Sequence, residues 1–248
     1  MATPPTIPAL EPKLPGRGLR AAGLVLPGIR RVSGQITPYT RYWSERNQRA
    51  VGGDGPLLIA IGDSTALGIG ASTPEHSYIG LLTRALGERD GTTWRVVNLA
   101  QSGARAADGL DRQLPLAERL LRPGGNGSAA LVVCCIGSND VVWSTATTAV
   151  RDRLRAIIGR LPTGSVVGLV AGGSPRARVV NRAVRNAAAE AGCGLVDPWR
   201  EPGPPPPQRL AADRFHPNDL GYALMSRPFA RHLGAPLPPV EAATPPAD

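Results

Sequence analysis

A short apolar segment at residues 57–61, Leu-Leu-Ile-Ala-Ile, runs directly into the polar turn Gly62-Asp63-Ser64-Thr65. The segment is too short for a helix but has the length of a strand, and the glycine-containing turn ends it. In an open α/β sheet, the turn after the first parallel strand lies where reactive groups are presented. Ser64 is therefore a candidate nucleophile. A turn that merely caps the next helix, with Asp63 or Ser64 as N-cap, explains the tripeptide alone about as well.

After this turn, patterns typical of strands alternate with patterns typical of helices. The predicted strands are 57–61, 94–99, 129–136, 166–171 and 194–196, and the predicted helices are 77–89, about 106–121, about 147–161, 176–191 and a last one through about 233. The all-apolar run 129–136 is typical of a central parallel strand that is covered on both faces. With right-handed crossovers, this order predicts a three-layer αβα sandwich with a five-stranded parallel sheet.

The segments on either side of this alternation differ from it in composition. Residues 1–56 contain many Pro, Gly and Arg and show no sustained period apart from a short helix near 38–49. They are predicted to form an arm that packs on the domain or stays partly disordered, ahead of a domain at 57–234 and a disordered tail at 235–248. Tyr39, Tyr42 and Trp43 are expected to anchor the arm to the core; the alternative is a lip over the active site.

The net charge of +9 and the pI of about 10.6 are the features that would suggest nucleic-acid binding. The distribution of the charge argues against it. Residues 1–56 carry eight basic and three acidic residues, so five of the nine excess positive charges lie in the Pro-rich arm. We expect no nucleic-acid partner, whereas peripheral contact of the basic arm with an anionic membrane surface, or with an anionic substrate, stays open.

Hydropathy and cysteine usage bear on the compartment. No apolar run approaches the roughly 20 residues that a membrane-spanning helix needs. The apolar stretch 21–29 after three basic residues has some features of a signal peptide, but Pro27 interrupts it and Arg30 and Arg31 follow at once. Cys134 and Cys135, adjacent in a predicted strand, are expected to be buried thiols without metal-ligand spacing. We therefore expect a cytoplasmic protein with no metal, with export or membrane association as the alternative.

A serine nucleophile needs a general base, and the sequence offers only three histidines for that role. His76 lies beside a helix start and is better explained as a surface or capping residue. His232 lies in the last turn of the final predicted helix, where an imidazole interacts favourably with the helix dipole, and is expected to be structural. His216 is different, because Asp213 precedes it by three residues in a turn and Pro217 follows it. This spacing lets the carboxylate reach Nδ1 while Nε2 faces outward, as in a Ser-His-Asp triad. An ordinary turn built on Asp213 and Asn218 is the alternative.

Acyl transfer also needs hydrogen-bond donors aimed at the developing oxyanion. The candidates are the backbone N–H of Ser64, the backbone N–H of Gly103 and the side-chain amide of Asn139, all after predicted strands whose carboxyl ends share one edge of the sheet. Gly103 has no Cβ to keep its backbone from a ligand, and Asn139 offers an uncharged NH₂ group.

Four sequence blocks in order resemble those of the SGNH hydrolases, also called GDSL esterases/lipases. They are Gly62-Asp63-Ser64, the segment Asn98-Leu99-Ala100-Gln101-Ser102-Gly103, Gly137-Ser138-Asn139-Asp140 and Asp213-Arg214-Phe215-His216. Thr65 stands where the family name has leucine. The resemblance covers roughly residues 57–233 and leaves the arm and the tail outside.

The resemblance implies a flavodoxin-like sheet and the hydrolysis of small-molecule or lipid esters, including thioesters and O-acetyl groups, without a metal or cofactor. It assigns Ser64 as nucleophile, His216 as base and acid, Asp213 as the orienting carboxylate, and Ser64, Gly103 and Asn139 as oxyanion donors. The alternatives are an acyltransferase that uses the same acyl-enzyme and a non-catalytic binding module on the same fold. A nucleotide site is not expected, because Gly68-Ile69-Gly70 lacks the third glycine of the dinucleotide fingerprint.

Overall fold

The computed structural model describes residues 7–8, 11–12, 16, 26–122, 130–143 and 145–239 of the 248-residue chain. Most of residues 1–25 of the predicted arm and residues 240–248 of the predicted tail lie outside the described residues. The division into arm, domain and tail therefore stays a prediction.

The core of the fold is a parallel sheet of five strands in the order β2-β1-β3-β4-β5. The strands are β1 (Leu57–Gly62), β2 (Arg95–Asn98), β3 (Ala130–Cys135), β4 (Val166–Gly168) and β5 (Gly194–Val196). Leu57 of β1 pairs with Arg95 on one side and with Ala130 on the other. The predicted five-stranded parallel sheet is confirmed, and its order is the flavodoxin-like one.

Strand β4 is shorter than the predicted 166–171 because its backbone leaves the ladder early. Leu169 still donates its N–H to the Val196 carbonyl, but the N–H and the carbonyl of Val170 bond instead to the side chain of Asn181. A side-chain amide that satisfies both backbone groups removes the need for a partner strand at this position.

Nine α-helices pack around the sheet in the described part of the chain. They are α1 (Pro27–Ser33), α2 (Ile36–Val51), α3 (Ser64–Leu67), α4 (Tyr78–Asp90), α5 (Ala106–Asp108 continued through the π-helical Gly109–Gln113 and Leu114–Leu121), α6 (Ser138–Val142), α7 (Thr147–Ile158), α8 (Pro175–Glu190) and α9 (Asp219–His232). None of the helices within residues 26–122, 130–143 and 145–239 is long and apolar enough to cross a membrane.

Alternate residues of β1 point into two separate apolar cores. Leu57, Ile59 and Ile61 contact the side covered by α5, α7 and α8, whereas Leu58 and Ala60 contact the side covered by α2, α4 and α9. This alternation confirms the three-layer sandwich. The two adjacent cysteines divide in the same way, Cys134 into the first core and Cys135 into the second, and burial raises the pKa of the Cys134 thiol to about 12.

The short helix predicted near 38–49 is confirmed and is longer than predicted, because α2 covers Ile36–Val51, whereas α1 at Pro27–Ser33 was not predicted. The buried positions of α2 recur at helical spacing but mix apolar with polar residues; they are Ile36, Tyr39, Thr40, Trp43, Asn47, Ala50 and Val51. Trp43 is almost completely buried, and its indole N–H donates to the Leu67 carbonyl at 3.0 Å. Tyr39 donates its hydroxyl to the Ala71 carbonyl at 2.7 Å. These contacts confirm that the aromatic residues anchor the segment to the core.

Candidate active site

Ser64 is the first residue of α3, directly after β1. Asp63 caps this helix, because its Oδ1 accepts the Thr65 N–H at 3.0 Å and the Thr65 hydroxyl at 2.8 Å. Gly68, with a left-handed φ of 84°, ends the helix after one turn. The capping interpretation of Gly-Asp-Ser is thus correct for Asp63, and the cap leaves Ser64 at the carboxyl edge of the sheet.

Gln113, on α5, holds the end of β1 through two hydrogen bonds to the backbone of Gly62. Its side-chain oxygen accepts the Gly62 N–H at 2.8 Å, and its amide donates to the Gly62 carbonyl at 2.9 Å. Gln113 belongs to the π-helical turn of α5, a kind of distortion that often occurs near functional sites. No pattern in the sequence marked this residue.

His216 lies in the loop before α9, where Asp213 shapes the backbone. The Oδ1 atom of Asp213 accepts the N–H groups of Phe215 and His216, both at 3.0 Å, and its Oδ2 lies 2.6 Å from Nδ1 of the His216 ring. Gly70, with a φ of 102°, lets this loop approach, since a Cβ there would collide with Pro217 and His216. The close packing of Gly70 against the loop that bears His216 explains why a glycine is needed there, and no nucleotide site is required to explain it.

The structure brings the three predicted triad residues together in one hydrogen-bonded row. His216 Nε2 lies 3.0 Å from Ser64 Oγ, although the two residues are 152 positions apart in the chain. Both distances in the row, 2.6 Å and 3.0 Å, are those of direct hydrogen bonds. A neutral His216 that donates from Nδ1 to Asp213 therefore has Nε2 free to accept the serine proton.

The pKa values of Asp213, within this row, and of Asp63, next to Ser64, are shifted in opposite directions. Burial raises the pKa of Asp63, and the hydrogen bonds from Thr65 only partly offset that effect. Burial also acts to raise the pKa of Asp213, but the hydrogen bond and the charge of His216, with the backbone donors, hold it below its ordinary range. Asp213 is therefore ionised at neutral pH, as an orienting carboxylate must be.

Asn139 and Gly103, two of the predicted oxyanion donors, lie in turns that contact each other. The side-chain amide nitrogen of Asn139 donates to the Ala104 carbonyl at 3.0 Å and approaches Oδ2 of Asp63 at 3.4 Å. Ala104 directly follows Gly103 in the sequence, and Asp63 directly precedes Ser64. Gly103 is exposed, has a φ of 66°, and a Cβ on it would meet no atom within 4 Å. Its glycine is thus explained by the left-handed backbone.

Asp140 links these two loops, a role that the sequence block did not reveal. Its side chain is fully buried, and its Oδ2 accepts the Ala106 N–H at 2.7 Å. This bond joins the turn that bears Asn139 to the loop that follows Gly103. Its position directly after Asn139 was the only signal in the sequence.

The other two histidines lie apart from the row. His76 Nδ1 lies 2.8 Å from the Ser72 hydroxyl and 3.3 Å from Asp219. The ring of His232, at the end of α9, packs on Gly194, where any Cβ would collide with it. The partly exposed His76 agrees with the predicted surface position, and the packed ring of His232 agrees with its predicted structural role. In the part of the chain that the structure describes, no three His, Cys, Asp or Glu side chains form a group that could hold a metal ion.

Exposed apolar side chains lie close to the catalytic candidates in sequence, after Asn139 and before His216. Val142 and Trp143, just after Asn139, and Phe215, just before His216, are each about half exposed. The Phe215 ring meets the imidazole of His216 edge-on, with centroids 5.0 Å apart. Such residues suit contact with the apolar part of a ligand.

Several solved structures have a fold related to that of this chain and match nearly three quarters of its length. The chain is similar to the psychrotrophic esterase EstA from Pseudoalteromonas sp. (15% identity, TM-score 0.57, 72% of this chain and 96% of that one) and to TesA (23%, 0.59, 72% and 98%). It is also similar to the lipase/acylhydrolase from Enterococcus faecalis (15%, 0.55, 74% and 98%). At these identities the likeness concerns the fold. No curated protein sequence matches the chain significantly.

The sequence itself identifies the family. The profile of the GDSL-like Lipase/Acylhydrolase family matches residues 60–224, about two thirds of the chain. The matched segment includes Ser64, Gly103, Asn139, Asp213 and His216, and it excludes α1, α2 and the first half of β1. The chain therefore belongs to the GDSL-like lipase/acylhydrolase family, whose four sequence blocks it carries on a flavodoxin-like sheet.

Proposed function

We propose that the protein hydrolyses carboxylic esters, with thioesters and O-acetyl groups as further substrates, through an acyl-enzyme on Ser64. The observation that carries the proposal is the row from Ser64 Oγ to His216 Nε2 (3.0 Å) and from His216 Nδ1 to Asp213 Oδ2 (2.6 Å). Serine needs a base within this reach to become a nucleophile at neutral pH.

In the first half-reaction, Ser64 Oγ attacks the acyl carbonyl carbon while His216 Nε2 takes the serine proton. The negative charge that develops on the carbonyl oxygen is stabilised by the backbone N–H of Ser64, the backbone N–H of Gly103 and the amide of Asn139. The tetrahedral intermediate then expels the alcohol or thiol, which leaves with the proton from His216. Ser64 is left as an ester of the acyl group.

In the second half-reaction, water replaces the alcohol. His216 takes a proton from the water as its oxygen attacks the acyl-enzyme carbonyl, and the same donors hold the second oxyanion. Collapse of this intermediate breaks the bond to Ser64 Oγ, returns the proton to that oxygen and releases the carboxylic acid. Asp213 holds the imidazole in the orientation that both proton transfers need.

The turnover of p-nitrophenyl esters from acetyl to palmitoyl tests this proposal. We expect Ser64→Ala to lose essentially all turnover, whereas Ser72→Ala, which removes an exposed hydroxyl on a neighbouring loop, retains it. His216→Gln should be inactive and His76→Gln active, because only His216 contacts Ser64. Equal activity of Ser64→Ala and wild type would rule out the acyl-enzyme.

The membrane contact of the arm and the cytoplasmic location stay predictions.

A further inference from the structure

A second concave region occupies the same edge of the sheet, at the carboxyl ends of β4 and β5. It is a cavity of about 620 Å³, a size that suits a small-molecule ligand. The side chains that give it its chemistry are four arginines, one carboxylate and one indole: Arg178, Arg182, Arg185, Arg200, Asp197 and Trp199. With four guanidinium groups against one carboxylate, the lining carries a net charge of +3.

The arginines come from two different elements. Arg178, Arg182 and Arg185 recur at four and three positions on α8 and so lie on one helix face, while Arg200 follows β5 on the other side of the cavity. Like charges at this helical spacing repel one another. Solubility alone does not require them to converge with a fourth arginine on one concavity, whereas an anion held between them would relieve the repulsion.

Existing contacts use only part of this donor set. Arg178 donates from Nε to the Gly173 carbonyl at 3.1 Å, and Arg200 approaches the Asp197 carboxylate at 3.5 Å with 84% of its side chain exposed. Among the residues that the structure describes, Arg182 and Arg185 have no ion-pair partner. Their forked donors are available for a ligand.

The walls of the cavity are fixed by hydrogen bonds to the end of β4. Asn181 on α8 bonds to both backbone groups of Val170, at 2.9 and 3.1 Å, and the Trp199 indole donates to the Leu169 carbonyl at 2.8 Å. The sixteen-residue α8 also directs the positive end of its dipole to this side, where Ser174 caps it. The arginine face and the aromatic wall thus have fixed relative positions without any ligand.

We propose that this cavity binds the phosphate-bearing part of a small soluble ligand, with Arg182 and Arg185 as its principal contacts. Guanidinium groups bind phosphate through paired N–H donors, and several of them together suit a doubly charged or pyrophosphate group. The Trp199 ring offers an apolar contact to the remainder of the ligand. A concave site favours a soluble molecule over a bilayer surface, which would meet a flat or convex face.

The cavity adjoins the candidate active site. The Ala171 N–H donates to the Ser138 hydroxyl at 3.0 Å, so the rim of the cavity is bonded to the turn that bears Asn139. Binding of phosphate does not depend on the ester hydrolysis proposed above. The test therefore uses the Ser64→Ala protein, which lacks the proposed nucleophile. Phosphate binding is then measured independently of ester hydrolysis, and a negative result for one proposal does not affect the other.

Calorimetric titration of Ser64→Ala with inorganic pyrophosphate at constant ionic strength tests the site. We expect a Kd of about 1 mM or lower, weakened about tenfold or more when Arg182→Gln and Arg185→Gln are added, because each change removes a charge-assisted contact. The control adds Arg41→Gln and Arg49→Gln on α2, which remove the same charge elsewhere and should change Kd by less than about twofold. Thermal unfolding of each variant verifies that it is folded.

Three results would overturn the proposal. One is equal weakening by the two pairs of substitutions, which would assign the binding to net charge. Another is no heat of binding at pyrophosphate concentrations of about 10 mM. The third is binding of phosphatidylglycerol vesicles that depends on Arg182 and Arg185 without any binding of pyrophosphate, because it would assign the surface to a membrane.

Discussion

The substitution Asp213→Asn separates orientation of the imidazole from integrity of the loop. Oδ1 of Asp213 accepts two backbone N–H groups at 3.0 Å, so an asparagine at this position keeps its oxygen there and turns its NH₂ group toward His216 Nδ1. Nδ1 must then be the acceptor, which moves the ring proton to Nε2. That tautomer cannot take the proton of Ser64.

In Asp213→Asn, the imidazole can no longer act as a base, but the fold is kept. We expect kcat for p-nitrophenyl acetate to fall by about 10⁴-fold, equivalent to about 5 kcal/mol of transition-state stabilisation. The melting temperature should change little, because both backbone hydrogen bonds of the loop remain. The assay is steady-state kinetics at neutral pH beside thermal unfolding of the same preparations.

The chain offers a matched control for this experiment. Asp219 lies 3.3 Å from His76, so Asp219→Asn alters a second carboxylate–histidine pair outside the row. It should leave kcat within about threefold of wild type, as expected for a change away from the reacting groups. If Asp213→Asn retained kcat within tenfold while Asp219→Asn behaved as expected, the tautomer argument would be refuted.

Three further predictions follow from other contacts. Asn139→Ala should lower kcat by about 10²–10³-fold with little change in KM, measured by steady-state kinetics, because it removes a donor to the oxyanion; unchanged kcat would exclude the residue. The depressed pKa of Asp213 contributes stability that is present above its ordinary value of 3.8 and is lost as pH falls through the lower folded value. Urea unfolding should therefore show a stability difference between wild type and Asp213→Ala at pH 7 that shrinks in strong acid; a constant difference would contradict this. Trp43→Ala should cost about 3–5 kcal/mol of unfolding free energy, and a loss below about 1 kcal/mol would mean that α2 is not an integral part of the fold.

The sequence predicted the sheet and the hydrogen-bonded row of Ser64, His216 and Asp213 because both depend on local patterns. Apolar runs that stop at Gly62 and Gly137 identify strands that end at one edge, and the spacing from Asp213 to His216 contains the carboxylate–imidazole contact within one turn. Once parallel topology is assumed, Ser64 and His216 can meet at that edge.

Helix α2 was predicted only as a short helix near 38–49, because tertiary contacts stabilise its full length in place of a uniform apolar stripe. Asn47 is buried, yet its amide donates to the Asn98 carbonyl at 2.8 Å and its oxygen accepts the Asn98 N–H at 2.8 Å. A polar residue that pairs with a strand backbone looks, in the sequence alone, like one that faces solvent. Proline and arginine nearby strengthened that misleading signal.

The supporting residues of the site depend on approach between distant elements, which a single sequence does not encode locally. Gln113 meets Gly62, and Asp140 meets the Ala106 backbone, only through the packing of α5 on the sheet. The basic cavity has the same origin. The arginines of α8 have the periodicity of a solvated helix face, and only the turn of the chain after β5 makes them one side of a pocket.

The most direct test of the central claim is to treat the protein with a fluorophosphonate and locate the adduct by peptide mass spectrometry. Our account predicts one adduct per chain, on Ser64, that is absent from Ser64→Ala and forms at a greatly reduced rate in His216→Gln. An adduct on another serine, or labelling of Ser64 at an equal rate without His216, would contradict the assignment of Ser64 as a nucleophile activated by His216.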